Sequence, residues 1–252
     1  MIVRFLLLIP FLLALALPQP PSVAIIGGNE TYDPQYKFTV SLQSKSGTKY
    51  LHFCGGSVIS DQHVVTAAHC VKYGSPARIV MNVTNLLDTK NMFVAKASKT
   101  VIHPNYISNK NDVAVIVLDR VIPSSIPRIQ IASRMPKKNT QLSVLGWGYT
   151  QEGSGVTVNQ LRVVSVPLVP RKICKKSYPE VDVSKVCAGS KDHDSCQGDS
   201  GGPLVQNISG TLNLIGIVSY GKGCGRENYY GVYMNAIYFK SFITDPPVAN
   251  CI

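Results

Sequence analysis

The chain is short of acidic residues. It has 14 Asp and Glu against 25 Lys and Arg among 252 residues, which gives a formal net charge of +11. A charge of this size attracts polyanions such as nucleic acid, but no long run of Lys or Arg is present. Because the basic residues are scattered, we interpret them as a solvated basic surface and expect no nucleic-acid partner.

Long hydrophobic runs are lacking after the N-terminus. The segment 5–17 is apolar but is interrupted by Pro10, and Arg4 precedes it. It is too short and too broken to cross a bilayer, which takes about 20 residues. Ala24 and the two residues before it resemble a signal-peptidase site. We therefore predict a signal peptide over residues 1–24, and whether this segment includes a very short propeptide stays open. We also predict a secreted protein with no membrane partner.

Oxygen ligands for calcium are also scarce. Between Lys72 and Lys99 the only acidic residue is Asp88, far fewer than a calcium site needs. We expect no structural metal and no cofactor.

The sequence lacks internal repeats and low-complexity segments; it has short β-type runs punctuated by 20 Gly and 16 Pro. This pattern predicts an all-β protein, a sandwich or a barrel. Only the tail from Tyr233 to Asp245 looks helical, ended by Pro246 and Pro247. The irregular segment 123–136 is predicted to connect two barrels. The runs are at 38–42, 56–60, 114–118, 141–145, 161–166 and 214–219.

Seven cysteines in a predicted secreted chain indicate a disulfide framework with one cysteine left over. Cys251 is the odd one, and three states stay open for it: free, capped, or bonded to another chain. The protein is predicted to be a monomer unless Cys251 links two chains.

The segment 194–203, DSCQGDSGGP, carries the strongest chemical signal. Gly198 and Gly201 remove side chains around Ser200, so its Oγ and backbone N–H can approach a substrate carbonyl. As a unit, these ten residues resemble the nucleophile loop of the chymotrypsin/trypsin family of serine proteases.

Two further motifs resemble the same family. His69 ends the run TAAHC, and Asp112 precedes an apolar strand, so the three residues follow the family's order His, Asp, Ser. An isolated histidine is more often structural or simply on the surface, and we give that interpretation to the other four. These are His52, His63, His103 and His193.

The resemblance implies a role for each residue. Ser200 is the nucleophile, His69 the base and Asp112 the acid that orients it, while the N–H groups of Gly198 and Ser200 form the oxyanion hole. It also implies two packed six-stranded antiparallel β-barrels, over residues 25–130 and 131–252, with a C-terminal helix. The implied disulfides are Cys54–Cys70, Cys174–Cys187 and Cys196–Cys224.

Substrate preference is expected to depend on Asp194. The resemblance places this carboxylate at the base of a specificity pocket, where a substrate Arg or Lys would offset the cost of burying it. Tyr220 stands where the family usually has Trp. Tyr230 stands where an aromatic residue is associated with sodium-sensitive members, so sodium sensitivity is a hypothesis. The other predicted pocket residues are Ser195, Ser219, Tyr220, Gly221 and Gly231.

Ile25 and the three residues after it resemble the new N-terminus that activates this family. Its α-ammonium would pair with Asp199, and activity would fall at alkaline pH as that ammonium loses its proton. The family usually has Arg or Lys before the cut, whereas this chain has Ala24. Either signal peptidase exposes Ile25 directly, or a separate protease removes a short propeptide.

The leading hypothesis is a secreted endopeptidase that cleaves proteins and peptides after Arg or Lys and that protein inhibitors can bind. The alternatives are a catalytically weak or silent relative acting as a binding protein or toxin, and an active protease with another specificity. Asn29, Asn82 and Asn207 begin N-glycosylation triplets.

Overall fold

The computed structural model describes residues 25–247. The predicted signal peptide and Cys251 lie outside these residues. Within them, no helix has both the length and the apolar character needed to span a bilayer.

The described residues form fifteen strands and two short α-helices. In chain order the strands are β1 (Asn29–Glu30), β2 (Thr39–Ser46), β3 (Lys49–Val58), β4 (His63–Thr66), β5 (Arg78–Met81), β6 (Phe93–Ala95), β7 (Ala97–Ile102), β8 (Ala114–Leu118), β9 (Gln130–Ile131), β10 (Gln141–Gly146), β11 (Arg162–Val169), β12 (Lys185–Ala188), β13 (Pro203–Ile208), β14 (Thr211–Tyr220) and β15 (Gly231–Asn235). The helices are α1 (Arg171–Cys174) and α2 (Lys240–Thr244).

The prediction of an all-β fold built from two barrels is confirmed. In the second barrel the order is β11-β10-β13-β14-β15-β12, and β12 also pairs with β11, which closes a ring of six strands. Two short strands attach to it, β1 beside β11 and β9 beside β14.

The first barrel is a curled sheet of seven strands in the order β6-β5-β2-β3-β4-β8-β7. Its two edge strands are separated in the chain only by Lys96, whose N–H donates to the Asp119 carboxylate at 3.0 Å instead of to a neighbouring strand. The sixth strand of the predicted barrel is therefore split in two. The chain therefore passes from one edge strand of the sheet, β6, directly to the other edge strand, β7.

One apolar core runs across both barrels. Its buried residues come from β2 and β8 of the first barrel and also include Leu145, Trp147 and Met234 of the second. Trp147 donates its indole N–H to the Thr84 carbonyl at 3.1 Å, so its one polar atom is satisfied. Because buried side chains of both barrels belong to this core, packing fixes the position of one barrel relative to the other.

Two details differ from the sequence expectations. The C-terminal helix begins at Lys240 instead of at Tyr233, because residues 233–235 pair with β12 and β14 as part of β15. The segment Asn29–Glu30, predicted to belong to the first barrel, pairs with β11 of the second.

Three disulfides hold loops near the barrel ends. Cys54–Cys70 ties β3 to the turn after β4, Cys174–Cys187 ties α1 to β12, and Cys196–Cys224 ties the segment before β13 to the loop after β14. The Cys54–Cys70 crosslink joins residues 16 positions apart. In the chain-entropy model, closing a loop of about 15 residues stabilises a protein by about 3 kcal/mol.

Candidate active site

His69 and Asp112 meet at adjacent ends of β4 and β8. The two strands pair with Thr66 opposite Ala114, so the turn after β4 lies next to the residue preceding β8. Asp112 is 2% exposed, and its carboxylate accepts the backbone N–H of His69 and its ring Nδ1–H, each at 2.8 Å. The imidazole is thereby held with Nε2 available to a nucleophile.

Ser219, from the end of β14 in the other barrel, also binds this carboxylate. Its Oγ donates to Asp112 Oδ2 at 2.5 Å. From the sequence, Ser219 was predicted only as a pocket residue, and the structure adds its contact with Asp112. A buried carboxylate needs such donors, because burial removes its hydration.

The nucleophile loop is pressed against β3 and β4. The Ser200 carbonyl accepts the Gly55 N–H at 2.7 Å. Gly201 has φ +78°, and a Cβ there would lie 2.2 Å from Thr66 Oγ1. Within the described residues Ser200 Oγ makes no direct hydrogen bond to His69, and such bonds are often loose before substrate binds.

The two predicted oxyanion donors are backbone N–H groups of the nucleophile loop. Within residues 25–247, neither the Gly198 N–H nor the Ser200 N–H has an acceptor. Tyr149 N–H donates to the Gln197 carbonyl at 2.7 Å, which fixes the peptide whose other side is the Gly198 N–H. Gly198 has φ +94°, and a Cβ there would lie 2.9 Å from Gly148 Cα, so a side chain would force this loop to move.

His52 also contacts Gly198, through the carbonyl group of that glycine. This buried histidine approaches the Gly198 carbonyl with Nε2 at 2.9 Å. Burial lowers the pKa of His52 to about 4, so the ring is neutral near pH 7. The interpretation of His52 as an ordinary structural or surface histidine missed this contact, which spans 146 positions and leaves no local sequence signal.

All six predicted pocket residues line one cavity of about 200 Å³, together with Ser200. Asp194 is 3% exposed and accepts the N–H groups of Ser195 at 2.8 Å and Gly225 at 3.1 Å. Burial raises the pKa of Asp194 to about 7. A Cβ at Gly231 would lie 2.7 Å from Asp194 Oδ1, so only glycine leaves room beside the carboxylate.

Tyr220 gives the rim of this cavity a polar contact. Its hydroxyl donates to Glu180 Oε1 at 2.7 Å, and its ring packs edge-on against Tyr178. Glu180 was not foreseen from the sequence. The tyrosine at this position therefore brings a carboxylate to the rim.

Ile25 and Asp199 are both fully buried in the second barrel. Asp199 accepts the N–H groups of Gly148 at 2.9 Å and Cys196 at 2.8 Å. A Cβ at Gly146 would lie 2.2 Å from Asp199 Oδ1, so a cradle of glycines surrounds this acid. Burial raises the pKa of Asp199 to about 7.

One group of side chains within residues 25–247 has the spacing of metal ligands: Cys54, His69 and Cys70. Its two sulfurs are joined in a disulfide and provide no thiolate. We therefore assign no metal to it.

Comparison with known proteins agrees with this geometry. A family model described as Trypsin matches residues 25–243. The chain belongs to the trypsin family. Trypsin eta of Drosophila erecta is 37% identical over 96% of this chain and 97% of its own length. Trypsin eta of Drosophila melanogaster is 38% identical over 87% of each chain. Serine protease 1 of Rattus norvegicus is 36% identical over 94% of this chain and 95% of its own length.

This trypsin-family chain is a serine endopeptidase acting on proteins or peptides. The candidate site combines elements of both barrels. His69 and Asp112 come from the first, and Ser200 and the pocket come from the second.

Proposed function

We propose that the protein is secreted and cleaves peptide bonds after Arg or Lys. The observation that carries this proposal is Asp194, a buried carboxylate at a cavity of about 200 Å³. Among residues 25–247 it has no cationic partner. A buried anion without a cation is costly, and a substrate guanidinium or ammonium would pair with it.

In the proposed mechanism, Ser200 Oγ attacks the carbonyl carbon of the scissile bond while His69 Nε2 takes its proton. Asp112 stabilises the resulting imidazolium, and the N–H groups of Gly198 and Ser200 bind the oxyanion. His69 then protonates the leaving amine, which forms the acyl-enzyme on Ser200. Water, deprotonated by His69, hydrolyses this ester and restores Ser200.

Replacing Asp194 with asparagine is expected to lower kcat/KM for an arginyl ester by about 10²- to 10³-fold, because a buried charge pair is lost. Turnover of a tyrosyl ester should change far less. The matched control is Asp192→Asn, which neutralises an exposed acid two positions away. Equal loss with both esters would contradict a role for Asp194 in selecting the cation.

Labelling of the wild-type protein with an organofluorophosphate separates the alternatives. Labelling at Ser200 with fast turnover of arginyl, but not tyrosyl or alanyl, esters supports the proposal. No labelling at Ser200 would favour a silent binding protein. Labelling with poor arginyl turnover would favour a protease of another specificity.

The affinity for benzamidine, an amidinium that mimics the arginine side chain, should depend on pH through Asp194. Its pKa is about 7 in the fold, so the carboxyl is neutral at lower pH and cannot pair with a cation. We expect affinity to weaken about tenfold per pH unit below 7 and to level off above it. Calorimetric titration from pH 5 to 8.5 measures this. A constant affinity, or the same slope in Asp194→Asn, would contradict it.

A further inference from the structure

A chain of hydrogen bonds, buried in its middle part, connects the nucleophile loop to the surface of the first barrel. Arg78 Nε donates to Gln43 Oε1 at 2.6 Å, and Gln43 Nε2 donates to Ser41 Oγ at 3.1 Å. Ser41 Oγ lies 2.8 Å from His52 Nδ1, and His52 Nε2 lies 2.9 Å from the Gly198 carbonyl oxygen. Three side chains in series, Gln43, Ser41 and His52, thus link the Arg78 guanidinium to the residue that carries a proposed oxyanion donor.

The sheet itself brings these groups together. Gln43 on β2 stands directly opposite His52 on β3 and Arg78 on β5. Ser41, Gln43 and His52 are all buried, so little water competes for their hydrogen bonds. The Arg78 guanidinium lies 4.0 Å from the centroid of the Tyr50 ring, a contact that holds it in place.

The end groups fix the direction of every bond in the series. A guanidinium only donates, so Gln43 must turn its oxygen to Arg78 and its NH₂ to Ser41. At the other end the Gly198 carbonyl only accepts, so neutral His52 accepts the Ser41 hydroxyl at Nδ1 and carries its single ring proton on Nε2. That proton is the one that the Gly198 carbonyl accepts.

Without Arg78 only the Gly198 carbonyl still favours this direction, and the series can reverse. The Gln43 amide can rotate, Ser41 can donate to its oxygen, and His52 can carry its proton on Nδ1. The Nε2 lone pair would then face the Gly198 carbonyl oxygen, and the two acceptors would repel each other. That repulsion would displace Gly198, whose N–H is a proposed oxyanion donor.

We propose that Arg78 and Gln43 are positioning residues for the oxyanion hole, because they select the His52 tautomer that holds Gly198. This inference rests on the acyl-transfer chemistry of the proposed function and not on the preference for Arg or Lys. Losing an oxyanion donor outright costs about 10²- to 10³-fold in kcat. Misplacing one through this series should cost less, roughly 3- to 10-fold.

The test compares Arg78→Met and Gln43→Leu with Arg120→Met, which removes an exposed arginine paired with its neighbour Asp119. The first two variants should lower kcat on an arginyl amide with KM unchanged. They should weaken a peptidyl argininal, whose hemiacetal oxygen occupies the oxyanion hole, by the same factor, and leave benzamidine binding unchanged. Arg78→Lys, which keeps a donor, should restore part of the loss, and Arg120→Met should match wild type. Wild-type kcat and argininal affinity in both Arg78→Met and Gln43→Leu would overturn the proposal.

Nitrogen-15 NMR of His52 gives a measurement that does not depend on turnover. The wild-type ring should carry its proton on Nε2, and Arg78→Met should move it, in whole or in part, to Nδ1. A wild-type proton on Nδ1, or an unchanged tautomer in Arg78→Met, would overturn the proposal even if the protein cleaves arginyl substrates. If instead the wild-type protein fails to label at Ser200, the proposed function fails, and the tautomer shift still decides whether Arg78 controls His52.

Discussion

Replacing Asp112 with asparagine is expected to lower kcat about 10⁴-fold with little change in KM, the loss known for this change in the type enzyme of the family. Three donors converge on the Asp112 carboxylate: the His69 N–H, the His69 Nδ1–H and the Ser219 hydroxyl. An amide has one oxygen and one NH₂ group, so at least one of these donors would face another donor. If it is the ring nitrogen, His69 turns to the tautomer with its proton on Nε2 and cannot accept a proton from Ser200.

Steady-state kinetics on an arginyl amide measures this effect. Asp119→Asn is the matched control, since it neutralises another carboxylate of the first barrel that pairs with Arg120. Ser219→Ala removes one donor and leaves the carboxylate, so its loss in kcat should be much smaller. A fall of less than tenfold in Asp112→Asn would mean that His69 does not depend on Asp112 for its tautomer.

The parts of the fold and site that the sequence predicted are those determined by local pattern. The run Ala114–Leu118, an unbroken apolar stretch with a β-branched centre, forms β8 with the predicted bounds. The TAAHC motif and the nucleophile loop are each continuous in the chain, so they could be recognised before their positions were known. The tail was harder, because residues 233–235 become a strand only through pairing with β12 and β14.

The parts that could not be predicted depend on contacts between distant positions. Ser219 reaches Asp112 across 107 positions, and His52 reaches Gly198 across 146. Neither contact follows from the residues beside it. The raised pKa values of Asp194 and Asp199 likewise follow from burial, which only the packed barrels create.

Activity is expected to depend on a free N-terminus at Ile25. A chain that keeps residues before Ile25 has no α-ammonium to pair with Asp199, and leaving one partner of a buried pair alone costs about 3 to 5 kcal/mol, or roughly 10²- to 10⁴-fold in kcat/KM. The experiment places a specific cleavage sequence directly before Ile25 and compares the uncut chain, the cut chain and cut Asp199→Asn. The uncut chain and the Asn variant should both have low activity. An uncut chain as active as the cut one would contradict the pairing.

The pH dependence of stability gives the same pairing an independent test. In the uncut chain the pKa of Asp199 is about 7, above its ordinary value of 3.8. The folded state therefore holds a proton that the unfolded state has released, and this contribution is present below about pH 4 and lost as pH rises through 7. Cutting before Ile25 supplies a cation that keeps its charge up to about pH 8, so the cut chain should lose less stability over this range. Because asparagine does not titrate, uncut Asp199→Asn should lack this part of the pH dependence. Identical thermal unfolding curves for uncut and cut chains from pH 4 to 7 would show that the ammonium does not reach Asp199. Cleavage after Ala24 would then not control activity through this pair.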